Sequence, residues 1–275
     1  MNTQYLQTDK GKIAYDDAGA GVPVILVPGM GVLRSEYRLL APQLISAGFR
    51  VITMDLRGHG ESDARWDAYS IEEMGTDILA LIRHIDAGPA VVVGHSFSAG
   101  SAVWAAVEAP DLVRGLVMLG PVVRGEVGAA MRTLMTVLFT RPWGPQAWLM
   151  YYGKLFPTHK PADWQTYTAA MKKNLSEPGR LESLKKLMLE PKTASEARLP
   201  RISVPALVIM GSKDPDFKDP AHEAKWIAEQ VKGSFEIIEG AGHYPQTEMP
   251  EITGKLVTTF LENFQTGAHD AENSQ

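Results

Sequence analysis

The sequence predicts an α/β fold: a mostly parallel central sheet flanked by helices, with a helical cap inserted after the sixth strand. Three observations predict it. Short all-apolar runs such as Val24–Val27 and Val91–Val93 have the composition of strands buried on both faces. Helical patterns alternate with these runs over short connections, the signature of a parallel sheet covered by helices. The alternation stops after Pro121 and resumes at Ala206, and prolines and glycines punctuate the stretch between.

Taken in order, Tyr5–Thr8 and Ile13–Asp16 flank the turn-forming Asp9-Lys10-Gly11, which predicts an opening hairpin. Val24–Val27 stops at Pro28-Gly29. Tyr37, Leu40, Leu44 and Ala47 make a helical pattern that ends at Gly48. Val51–Met54 is a strand, followed by the turn Arg57-Gly58-His59-Gly60. Ser70 caps a helix running through Ile71, Met74, Ile78, Leu81 and Ile85, with Glu73 completing a capping box. Val91–Val93 is a strand, Phe97 to about Glu108 a helix, and Leu116–Leu119 a strand closed by Gly120-Pro121. Between about Arg124 and Ala197, Pro142, Pro145, Pro157, Pro161 and Pro178-Gly179 separate about four helices. Ala206–Met210 and Phe235–Ile238 are strands, each followed by a helix (Ala221–Val231 and Ile252–Phe264). The expected organisation is a core of residues 1–122 and 198–264, a helical cap of residues 123–197, and a flexible polar tail of residues 265–275.

With 275 residues, 45% hydrophobic, the chain can bury a sizeable core. A net charge of −5 without a dense basic run argues against nucleic acid as a partner. The chain has no cysteine, which excludes thiol catalysis, disulfides and thiolate metal sites. No apolar stretch approaches the ~20 residues of a membrane helix, and the start lacks the pattern of a signal peptide. A cytoplasmic location is expected.

Val91-Val92-Val93-Gly94-His95-Ser96-Phe97-Ser98 carries most of the functional argument. A strand runs into Gly-His-Ser and a helix of small residues leaves, so the chain must reverse at Ser96 and project its hydroxyl above the strand ends. Only small residues fit two positions to either side of such a turn. Gly94 meets that need, and Ser98 stands where glycine is more usual. Ser98 is a rival nucleophile, but it falls within the predicted helix.

A serine hydroxyl needs a general base, and the base needs a carboxylate to orient it. Of seven histidines, His243 lies in the glycine loop Glu239-Gly240-Ala241-Gly242-His243 after the last strand, which can carry an imidazole to the sheet's carboxyl edge. His59 in its turn, His95 beside the elbow and the remaining histidines have duller explanations. Gly211-Ser212-Lys213-Asp214-Pro215-Asp216 supplies the acid: Asp214 first, Asp216 as fallback. The oxyanion donors expected are the backbone N–H groups of Phe97 and Met30.

Together, Pro28-Gly29-Met30-Gly31, Asp55-Leu56-Arg57-Gly58-His59-Gly60-Glu61-Ser62, Val93-Gly94-His95-Ser96, Gly211-Ser212-Lys213-Asp214 and Gly240-Ala241-Gly242-His243 resemble the α/β-hydrolase superfamily over about residues 5–264. Pro28 departs from the histidine that many relatives carry there. The resemblance implies a serine hydrolase with a helical cap and neither cofactor nor metal. A serine at the elbow argues against haloalkane dehalogenase or epoxide hydrolase, which are similar in fold and use aspartate. The short stretch Gly94–Ala99 also resembles the elbow of RsbQ-type regulators and of plant karrikin and strigolactone receptors.

The insert is rich in Met, Leu and aromatic residues, among them Met131, Leu134, Met135, Leu138, Phe139, Trp148, Met150 and Tyr151. Most should pack the cap, and some should face a cleft above Ser96. A small or medium, uncharged, apolar acyl substrate is therefore expected, cleaved as a carboxylic ester through an acyl-enzyme. Two alternatives stand beside it. One is the same triad acting on a C–C, amide or lactone bond, with Arg124, Arg132 or Arg141 serving an acidic substrate. The other is a slow-turnover small-molecule receptor with a protein partner.

Overall fold

The computed structural model describes residues 3–125 and 128–265. Its strands are β1 (Gln4–Gln7), β2 (Lys12–Ala18), β3 (Pro23–Val27), β4 (Arg50–Met54), β5 (Ala90–His95), β6 (Val113–Leu119), β7 (Ala206–Gly211) and β8 (Ser234–Ile238). They form one sheet in the order β1-β2-β4-β3-β5-β6-β7-β8. The β1–β2 and β2–β4 pairs are antiparallel, and every later pair is parallel. The central strands align their carboxyl ends, so the loops that leave β3, β5, β7 and β8 meet at one edge.

Helices α1 (Ala41–Ser46), α2 (Ile71–Ile85), α3 (Phe97–Glu108), α9 (Pro220–Val231) and α11 (Pro250–Glu262) flank the sheet. Between β6 and β7 lie α4 (Ala129–Leu138), α5 (Gly144–Lys154), α6 (Trp164–Leu175), α7 (Arg180–Leu189) and the single turn α8 (Thr193–Glu196). A second single turn, α10 (Pro245–Glu248), precedes α11.

Strand periodicity explains the two-sided core, because alternate side chains point to opposite faces. Ile25, Val27, Val92, Met118 and Val208 pack with α2, α3 and α9 residues on one face. Val24, Leu26, Val91, Val93, Val117 and Ile209 pack with Leu40, Leu44, Val257 and Leu261 on the other. Ser70 caps α2 as its sequence requires, its side chain accepting from the Glu73 N–H.

Some boundaries differ from the sequence pattern. The single helix expected across Tyr37–Ala47 is a 3₁₀ turn, Arg34–Arg38, followed by α1. Pro42 sits in the first turn of α1, where its missing N–H costs nothing, and so marks a restart. The same preference puts Pro250 at the start of α11, two residues before the expected Ile252. The tail expected over residues 265–275 lies, apart from Gln265, outside the described residues.

The insert packs a third cluster of its own. Phe139, Trp148, Tyr152, Phe156, Tyr167 and Leu184 are buried together with Val32 and Tyr244 from the sheet's loops. Polar ties join it to the same edge: Trp148 Nε1 donates to the Gly31 carbonyl at 2.9 Å, and the His243 N–H donates to the Leu155 carbonyl at 3.0 Å.

Candidate active site

Ser96 follows β5 directly and precedes α3. Its φ of 53° and ψ of −120° form a strained conformation for a residue with a side chain, of the kind stored at functional turns at about 1–3 kcal/mol. The turn is close: a Cβ at Gly94 would lie 2.8 Å from Ala99 Cα and from the Ser98 carbonyl oxygen, so only glycine fits there. Ser98 lies inside α3, and its hydroxyl donates to the Pro28 carbonyl at 2.5 Å, tying the elbow to the loop after β3.

The loops after β7 and β8 bring Asp214 and His243 to Ser96. His243 Nε2 lies 2.8 Å from Ser96 Oγ, and Nδ1 lies 2.7 Å from Asp214 Oδ2. All three residues are buried. With Nδ1–H donating to the carboxylate, Nε2 is free to accept the serine proton. Burial opposes a charged imidazole, but the Asp214 charge and hydrogen bond override it and push His243 up to about 9. The fallback acid, Asp216, lies 3.8 Å from Nε2 on the other side of the ring, and its carboxylate accepts from the Tyr151 hydroxyl at 2.7 and 2.9 Å. His243 faces Ser96 and Asp214, and neither Ser98 nor Asp216 occupies those places.

The expected oxyanion donors sit where two frames leave them available. In the loop after β3, Gly29 N–H donates to Glu36 Oε2 at 3.0 Å and Gly31 N–H to His59 Nε2 at 3.0 Å. Met30 N–H, between them, and Phe97 N–H, in the first turn of α3, have no acceptor among the described residues.

Sequence reasoning missed the side chains that hold this arrangement. His95 lies beneath His243, with ring centroids 5.1 Å apart, and its Nε2–H donates to the His243 carbonyl at 2.8 Å. Its Nδ1 lies 3.0 Å from Glu36 Oε1, out of line for a hydrogen bond, and both side chains are fully buried. Gln246 Nε2 donates to Glu36 Oε1 at 2.5 Å. Glu248 accepts from Gly242 N–H at 2.7 Å and from Thr158 and His159 N–H groups at 2.8 and 3.0 Å, fixing the histidine loop. His59 braces the loop after β3. Its Nδ1–H donates to the Arg57 carbonyl at 3.1 Å, so Nε2 can accept from Gly31. Burial lowers this imidazole to about 4, which keeps that acceptor neutral. Gln246, Thr247 and Glu248 are all buried, as polar groups with partners can be, but most of their side-chain partners lie far along the chain and no local pattern in the sequence marks them.

The cavity above Ser96 has a volume of about 560 Å³ and is walled mainly by Met30, Phe97, Leu138, Phe139, Met150 and Met188. Three charged side chains also line it: Lys154, Asp216 and Lys192. None of Arg124, Arg132 and Arg141 does. Arg124 pairs with Glu223 and stacks on Trp226, while Arg132 and Arg141 donate to backbone carbonyls. Asp214, Asp216 and His243 also bring ligand atoms within 4.8 Å of one another, but both His243 ring nitrogens are already engaged with Asp214 and Ser96.

A family model described as the alpha/beta hydrolase family matches residues 24–253. The chain belongs to the alpha/beta hydrolase family. This alpha/beta hydrolase is 27% identical to a 2-(acetamidomethylene)succinate hydrolase of Mesorhizobium japonicum over 93% of this chain and 94% of that one. It is 25% identical to 3-oxoadipate enol-lactonase 2 of Acinetobacter baylyi over 78% and 79% of the two chains. Among solved structures, a thermophilic esterase from Thermogutta terrifontis superposes with a TM-score of 0.80, covering 96% of this chain and all of that one at 24% identity, a likeness of fold. Among the described residues, no helix of this hydrolase is long and apolar enough to cross a membrane.

Proposed function

We propose that this hydrolase cleaves carboxylic esters of small to medium, largely apolar acyl chains through an acyl-enzyme on Ser96. One observation carries the reading: the hydrogen-bonded chain from Ser96 Oγ through His243 to Asp214, opening into an apolar cavity. His243 takes the proton from Ser96 as the hydroxyl attacks the carbonyl carbon, and Asp214 holds the ring's tautomer and stabilises its cation. The developing oxyanion is held by the Met30 and Phe97 N–H groups, each worth about 10²–10³ in rate. His243 then protonates the leaving alcohol, and a water activated by the same ring releases the acid. Residues 1–122 and 198–264 act as the catalytic core, and residues 123–197 as the cap that shapes the acyl site.

Likeness along most of the chain to a 2-(acetamidomethylene)succinate hydrolase and to an enol-lactonase favours a second reading, in which the same groups open a lactone or another acyl bond. Hydrolysis of p-nitrophenyl esters from acetate to decanoate by the wild type and Ser96→Ala tests the first. Steady turnover with a chain-length optimum, lost in the variant, is expected. A folded wild type without turnover would turn the assignment to lactones.

A further inference from the structure

Among the described residues, Lys192 is the one buried cation lining the Ser96 cavity, with 5% of its surface exposed. It stands immediately before α8, and its Nζ lies 5.4 Å from the centroid of the Phe97 ring. One ammonium proton is donated to the Glu190 carbonyl at 2.6 Å. An ammonium carries three donors, and among the described residues no second acceptor and no ion-pair partner within 4.0 Å is found for it. Burial lowers its pKa from the ordinary lysine value, and the Glu190 charge only partly counters this. A charge held this way among Met, Leu and Phe side chains is costly unless something of opposite sign joins it. Lys154, at the rim, is exposed and replaces none of this.

The charges across the cavity are unequally placed. Asp216 sits 3.8 Å from His243 Nε2, the atom that protonates the leaving group, so negative charge is disfavoured on that side. The cation stands over the Phe97 ring instead. We propose that Lys192 is an anion-recognition group of the acyl site, and that the substrate's acyl chain is apolar along its length and ends in a carboxylate. This rests on the acyl-transfer reading given above and replaces the uncharged acyl chain expected from sequence.

The test compares mono-p-nitrophenyl adipate with the p-nitrophenyl ester in which an isopropyl group replaces the terminal carboxylate, using the full-length wild type, Lys192→Met and Lys192→Arg. The wild type should prefer the carboxylate ester in kcat/KM by roughly tenfold or more, the range of a charge-assisted hydrogen bond. The ratio should collapse in Lys192→Met and persist in Lys192→Arg, and because it is a ratio within one protein, a general loss of activity cancels. Equal rates in the wild type, or a preference that survives Lys192→Met, would overturn the proposal. Calorimetric binding of adipate itself separates the two readings. Adipate binding that weakens at least about tenfold in Lys192→Met, without turnover of either ester, keeps the anion site and removes ester hydrolysis. Absence of adipate binding to the wild type together with equal ester rates removes the anion site.

Discussion

Two regions meet at the cavity, and they are built differently. On the sheet side, Ile25, Leu26, Val92 and Leu119 are fully buried, and the reacting groups are held by side chains that are themselves buried and hydrogen-bonded. On the insert side, α4 and α5 leave Leu134, Val137 and Met150 at 55%, 60% and 65% exposure. Such groups are loosely constrained, and Met in particular adapts to irregular partners. Under the proposed function, chemistry falls to the sheet side and acyl selection to the insert side. Changes on the sheet side should alter rate with little change in which substrate is chosen, and changes on the insert side should do the reverse.

The largest effect is expected at His243. His243→Ala should lower kcat by roughly 10³–10⁶ with nearly unchanged KM, since it removes a group that acts in the transition state; a loss confined to KM would break the assignment. The wild-type pH profile sharpens it. Only the neutral ring can accept the serine proton, and Asp214 holds its pKa above the ordinary histidine value, up to about 9. Activity should therefore rise with pH through an inflection above about 6.5, and Asp214→Asn should move that inflection down while lowering the maximum.

A smaller effect is expected at His95, which positions the base through its carbonyl. His95→Phe should reduce kcat about 10- to 100-fold, as displacements near 1 Å do, with little change in KM. His95→Gln, which keeps a donor, should recover part of the loss. Equal decreases in kcat and thermal stability without recovery by Gln would make His95 a packing residue only.

The smallest effect belongs to the insert. Leu138→Trp, at a cavity position 42% exposed, should shorten the preferred acyl chain and change kcat/KM for the longest esters by about tenfold or less. Stability should move by about 0.5 kcal/mol or less, as is usual at exposed sites. A uniform loss across all chain lengths would contradict the division between the two sides.

The same contrast explains what the sequence made legible. Val91–Val93 with Gly94 and Ser96 could be read because a two-sided strand and a sharp turn each restrict residue type strongly. Asp214 and His243 could be read because each follows a strand at the sheet's carboxyl edge. Glu36, His95, Gln246 and Lys192 could not. Their roles depend on partners distant along the chain, as with Gln246 on Glu36, and no local period marks such pairs. Pro42 was legible as a proline but not as the break between a 3₁₀ turn and α1, since an apolar pattern of period near four spans both.

The most direct test of the account is labelling of the wild type with a fluorophosphonate, followed by intact mass and peptide mapping. A single adduct on Ser96, absent in Ser96→Ala and much slower to form in His243→Ala, is the predicted result. An adduct on Ser98, or a folded wild type that stays unlabelled, would contradict it.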